Sequence, residues 1–73
     1  MVEEIFLKKI GKRIRKLRLE ESLSQEKLAF QSNLDRTYIG SVERGERNIA
    51  IINLNKIAKA LNISVSKLLE IEL

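Results

Sequence analysis

The apolar residues of this chain recur at steps of three and four. Phe6, Ile10, Ile14 and Leu17 make one such stripe, and Ile51, Leu54, Ile57, Ala58 and Leu61 make another. That spacing puts side chains on one face of a helix, whereas a half-buried strand needs alternation, and no segment is assigned to a strand. The chain is therefore expected to be all-α. At 73 residues it makes one domain, residues 1–73, whose folding leaves much apolar surface in water. A second subunit would relieve that.

Stop and start signals divide the helices. The first runs over about residues 3–20 and is slightly weakened by Gly11. Ser24 can cap a second helix of about two turns that buries Leu28 and Ala29. Ser32-Asn33-Leu34 suits a sharp reversal, because Asn enters the left-handed conformation cheaply, and Leu34 turns inward. Asp35 caps a third helix that closes at Gly45, and a fourth follows the loop 45–48 and ends near Asn62. Ser64 caps a fifth, expected to reach about Ile71.

Composition removes whole classes of chemistry. There is no Cys, His, Pro or Trp, which excludes disulfides, Cys/His metal sites and Cys- or His-based catalysis. No nucleophile–base pair or phosphate-cradling Gly loop is present either, so the chain is not expected to be an enzyme or to carry a metal, cofactor or small-molecule ligand. Met1-Val2-Glu3-Glu4 lacks the basic start of a signal peptide and no stretch approaches a membrane span, so the expected location is the cytoplasm, on the nucleoid.

Fourteen Lys and Arg against ten Asp and Glu leave a formal charge of +4, and residues 8–18 hold seven basic side chains and no acid. Such a stretch fits either a solvated helix face or a polyanion contact. Two short helices around a three-residue reversal form the unit that enters the DNA major groove in many repressors, though an ordinary helical hairpin has the same spacing. Along the third helix, steps of about 100° turn Ile39, Val42 and Glu43 inward and Thr37, Ser41 and Arg44 outward, with Gly40 beside them and Arg36 and Tyr38 flanking. Arg, Thr and Tyr suit base edges, through paired bonds to guanine, contact with a thymine methyl, or a phenolic hydroxyl. An acid on the inward side needs a partner, and Arg18, on the flank of the first stripe, can supply it as a structural salt bridge.

The run Ser24-Gln25-Glu26-Lys27-Leu28-Ala29, then residues 32–39, then Val42-Glu43-Arg44-Gly45 and Arg47-Asn48, resembles the lambda-repressor-like, Cro/C1-type helix-turn-helix family. Within it, residues 33–39 with Glu43-Arg44, Arg47-Asn48 and Ile57-Ala58-Lys59-Ala60-Leu61 look most like the controller proteins of restriction-modification systems. The resemblance covers nearly the whole chain. It implies a compact five-helix fold with the helix-turn-helix at about residues 24–44, a dimerisation region at about 49–73, and a homodimer on palindromic double-stranded operators, including its own promoter. RNA polymerase is a candidate further partner.

Position by position, the resemblance gives Gln25 a phosphate contact, Arg36, Thr37 and Tyr38 the base-reading places, with Ser41 added from its outward angle, and Arg44, Arg47 and Asn48 the DNA backbone. It also makes Arg18 and Glu43 a buried pair. Two departures stand out: Gly40 replaces a common Ser, and Ser22 replaces a common Gly at the first turn. Ile51, Ile52, Leu54, Val65, Leu69 and Leu73 are candidates for core or dimer contact, which spacing cannot divide. A phage-type repressor or antitoxin, and a helical interaction domain without DNA affinity, are the alternative functions.

Overall fold

The computed structural model describes residues 2–72 and, among them, five helices and no strand: α1 Val2–Glu20, α2 Gln25–Ser32, α3 Arg36–Glu43, α4 Ile51–Ala60 and α5 Val65–Leu68. α1 lies against α3, α2 against both α3 and α4, and α4 against α5. One core forms where they meet, with Ile14, Leu28, Ile39, Ile57 and Leu68 wholly buried, one from each helix. Burying each such side chain contributes about 1.5–3 kcal/mol.

Four of the five helices end in the same way. Ser22, Asn33, Gly45 and Asn62 each adopt a positive φ, between 56° and 74°. The N–H after each of them reaches back to a carbonyl of the preceding helix: Leu23 to Arg18 at 3.0 Å, Leu34 to Ala29 at 2.9 Å, Glu46 to Ser41 at 2.9 Å and Ile63 to Ala58 at 3.0 Å. This is the Schellman closure, which satisfies carbonyls left without an intrahelical donor. After three of these closures the returning residue, Leu23, Leu34 or Ile63, packs on the core, so each reversal is also pinned by apolar burial. At the other ends, Ser24 Oγ accepts from Lys27 N–H, Asp35 Oδ1 from Thr37 N–H and Ser64 Oγ from Lys67 N–H. Ala50, at the start of α4, offers no side-chain cap.

Gly11 does more than weaken a helix. A Cβ there would lie 2.4 Å from Val42 O and 2.5 Å from Glu43 O. The missing side chain is what lets α1 rest directly on the last carbonyls of α3. Gly45 combines two demands, a φ of 74° and contact with the Lys8 backbone, where a Cβ would come within 2.8 Å of Lys8 Cα.

The fifth helix is shorter than expected, stopping at Leu68 rather than near Ile71. Arg13, from the middle of α1, donates from Nε to Leu68 O at 3.2 Å and from Nη2 to Lys67 O at 2.9 Å. Those carbonyls are satisfied from outside, and the chain turns away through an Ile71 N–H to Leu69 O bond. Lys9 Nζ also donates to Glu72 O, at 2.6 Å.

Candidate nucleic-acid interface

α3 has one side committed to the protein and one short edge left open. Ile39, Val42 and Glu43 are buried as their spacing requires. At the capped start of the helix, Arg36 and Thr37 are exposed, beside the N–H groups and partial positive charge that a helix N-terminus presents. Neither side chain has a partner among the described residues.

Tyr38 is half-buried and held. Arg47 stacks over its ring, with the guanidinium carbon 5.1 Å from the centroid, and Asn53 Nδ2 donates to its hydroxyl at 3.2 Å. Tyr38 and Arg47, expected at separate tasks, therefore form one unit on this surface. The contribution of Asn53 carried no local signal, because it joins residues on two helices across a loop.

Ser41 corrects an expectation. It is 8% exposed, and its hydroxyl donates to Tyr38 O at 2.8 Å, so its oxygen is turned back onto its own helix rather than outward. Its backbone is engaged too, because the Glu46 N–H closes the helix end on Ser41 O at 2.9 Å. Gly40 is also buried, covered by Arg44 Nη1 and Gln25 Oε1.

Behind the open edge lies a buried ionic cluster. Arg18 Nε is 2.6 Å from Glu43 Oε2, Arg18 Nη2 is 3.0 Å from Glu43 Oε1, and Arg18 Nη1 donates to Leu23 O at 2.7 Å. The hydrogen bonds that Arg18 donates to Glu43, against the desolvation that opposes them, push the pKa of the guanidinium above its ordinary value. Gln25 Nε2 donates to the same Glu43 Oε1 at 3.0 Å. A carboxylate only accepts, so this bond directs the Gln25 amide nitrogen inward and leaves its carbonyl toward Gly40. Gln25 thus joins the cluster, with its first-turn backbone at the start of α2.

The remaining polar residues of the surface divide by surroundings. Arg44 is exposed and paired with Glu46 at 3.0 Å, an ion pair in water that contributes little to stability. Asn48 is exposed and lines a groove of about 310 Å³ with Phe6, Leu7, Ile49, Ile51 and Leu69. Of the basic stretch in α1, Arg13 and Arg18 are spent on the fold, while Lys12, Arg15 and Lys16 form an exposed row with Leu19 and Glu20.

The apolar candidates separate as well. Leu54 is 4% exposed and belongs to the core cluster, whereas Ile51 and Ile52 are 67% and 69% exposed. Val65 and Leu69 are half-buried against the core, and Leu73 lies outside the described residues. Among the described residues no cluster of acidic side chains could hold a metal ion, and no helix is long and apolar enough to cross a membrane.

Comparison with known proteins gives concordant matches. A helix-turn-helix family model matches residues 14–68. The control protein C.BamHI of Bacillus amyloliquefaciens is 49% identical over 61 residues, spanning 82% of this chain and 75% of that protein. The crystal structure of the restriction-modification controller protein C.AhdI from Aeromonas hydrophila superposes with a TM-score of 0.84 at 53% identity, covering 85% of this chain and 94% of that one. The controller protein C.Esp1396I, solved as a tetramer in complex with its natural 35 base-pair operator, matches with a TM-score of 0.82 at 46% identity, over 89% of this chain and 86% of that one.

Proposed function

We propose, because this chain belongs to the Cro/C1-type helix-turn-helix family and sits among its restriction-modification controller proteins, that it is a transcriptional regulator binding double-stranded operator DNA. The observation that carries this is the open N-terminal edge of α3, where Arg36 and Thr37 are free and the Tyr38–Arg47 stack stands beside them while the rest of the helix is locked in the core. Arg36, Thr37 and Tyr38 read bases; Arg44, Arg47, Asn48 and the first turn of α2 at Gln25 hold the phosphates. Ser41 supports Tyr38 from within the helix. Salt lowers the affinity steeply, since phosphate contacts release counterions.

The active species is a homodimer. Ile51 and Ile52 present an apolar surface at the edge of the groove lined by Phe6 and Leu69, within residues 49–73, and a two-fold axis there would set two α3 helices about 34 Å apart, one turn of DNA. The operators are correspondingly palindromic, with the protein's own promoter among them. Bound beside a promoter in the cytoplasm, on the nucleoid, such a dimer meets RNA polymerase. Selection of duplexes from a random pool, followed by footprinting, tests the proposal: a symmetric protected site with half-sites one turn apart supports it. A monomer at micromolar concentration with no sequence preference would sink it.

A further inference from the structure

Tyr38 is supported from three directions by groups that are not neighbours in sequence. Its ring packs against the core, Arg47 covers a face at 5.1 Å, and Asn53 of α4 donates from Nδ2 to the phenolic oxygen at 3.2 Å. An exposed tyrosine turns about its side-chain bonds and offers either a donor or an acceptor. This one is fixed in place, and its polarity is fixed too. A phenol oxygen carries one proton and accepts through its lone pairs. With Asn53 donating into it, the hydroxyl proton has no acceptor among the described residues and is left for one outside the chain, and accepting one hydrogen bond strengthens the one it donates.

We propose that Asn53 is a positioning residue for DNA recognition: it sets Tyr38 as a hydrogen-bond donor toward an acceptor on the duplex, an inference that rests on the operator binding proposed above. The acceptor chemistry is an unprotonated oxygen or nitrogen. Purine N7, guanine O6 and thymine O4 in the major groove present it, and so does a phosphate oxygen. Asn53 lies outside the helix-turn-helix and touches α3 through Tyr38, so α4 shares in recognition without itself meeting a base.

The test uses a duplex selected from a random pool by the unmodified protein, and four variants: Tyr38→Phe, Asn53→Ala, Asn53→Asp and the double variant Asn53→Ala/Tyr38→Phe. Loss of the hydroxyl in Tyr38→Phe is expected to weaken binding about three- to tenfold. Asn53→Ala weakens it by less, and adds no loss once residue 38 is Phe. Asn53→Asp can only accept, so it draws the hydroxyl proton inward and weakens binding at least as much as Tyr38→Phe. Methylphosphonates at single phosphates, and 7-deazapurines or single-base changes, then separate the two sources: the modification that erases the difference between the parent and Tyr38→Phe marks the acceptor. Equal losses from Asn53→Ala in the Tyr and Phe backgrounds would overturn the proposal, as would a loss from Tyr38→Phe with none from Asn53→Ala, or a difference that no modification erases. If Tyr38→Phe binds like the parent while Arg36→Ala does not, this inference fails and operator binding stands. If the parent selects no duplex, the function itself fails.

Discussion

Arg18 and Glu43 are joined by two hydrogen bonds, at 2.6 and 3.0 Å, with both side chains withdrawn from water. The pair ties the last turn of α1 to the last turn of α3, so α3 is anchored at the end remote from its open edge. Glu43→Ala strands the guanidinium, and Gln25 loses an acceptor with it. The expected cost is about 3–5 kcal/mol, read as a fall in the urea midpoint. Replacing both partners together, by Met at 18 and Leu at 43, should cost much less, because no charge is left behind. Equal losses from the two variants would show that the packing of these side chains matters and their charges do not.

Two glycines, Gly11 in α1 and Gly40 in α3, should respond with opposite signs. Gly11→Ala drives a Cβ into the carbonyls of Val42 and Glu43, backbone atoms that cannot swing aside, and should cost about 1–3 kcal/mol. Gly40→Ala meets only the ends of Arg44 and Gln25, at 3.2 and 3.4 Å, and should gain up to about 1 kcal/mol from helix propensity. Denaturant titrations of the two variants against the parent settle both signs.

Ser22 holds a φ of 56° in an exposed turn, a conformation that is unfavourable for a residue with a Cβ. Ser22→Gly should raise stability by about 1 kcal/mol, because glycine enters the left-handed region without that steric penalty. A melting temperature equal to or below the parent's would mean that the turn is comfortable with serine.

Arg36 and Arg44 should differ in what their loss does to DNA binding. Arg36→Ala is expected to cost about 1–3 kcal/mol on the selected duplex and to relax base preference at one position. Arg44→Ala should weaken all duplexes alike and reduce the salt slope by about one. Competition among single-base variants of the duplex at two salt concentrations measures both, and matching profiles for the two variants would contradict the division of labour between them.

Much of the fold was legible in the sequence because its signals are local. Ser24, Asp35 and Ser64 start helices where capping chemistry says they should, and Asn33, Gly45 and Asn62 end them. The inward turn of Glu43 was readable from its angle on the helix, and its partner from the need to satisfy a buried acid. The features that escaped are those set by segments far apart in the chain. Arg13 reaches the carbonyls of α5 across more than fifty residues, and that contact, absent from any local pattern, caps the last helix where it stops. Ser41 has the angle expected of an outward residue, yet it is buried and its hydroxyl is bonded to Tyr38 O. Leu54 and Ile51 share an apolar stripe, and only the packed structure separates the buried residue from the bare one. Asn53 carries no sequence signal of its own, because its bond to the Tyr38 hydroxyl is made across fifteen residues and between two helices.

Because each reversal at Ser22, Asn33, Gly45 and Asn62 is closed by hydrogen bonds to the turn immediately before it, ordering the corners requires no distant stretch of chain to be captured first. Closure entropy is small at such short range, and topologies dominated by neighbouring contacts cross their kinetic barriers in microseconds to milliseconds. No proline peptide bond is present to impose a slow isomerising phase. Dilution from denaturant should therefore regenerate the helices in one rapid relaxation, with any slower, concentration-dependent step belonging to the encounter of two finished copies.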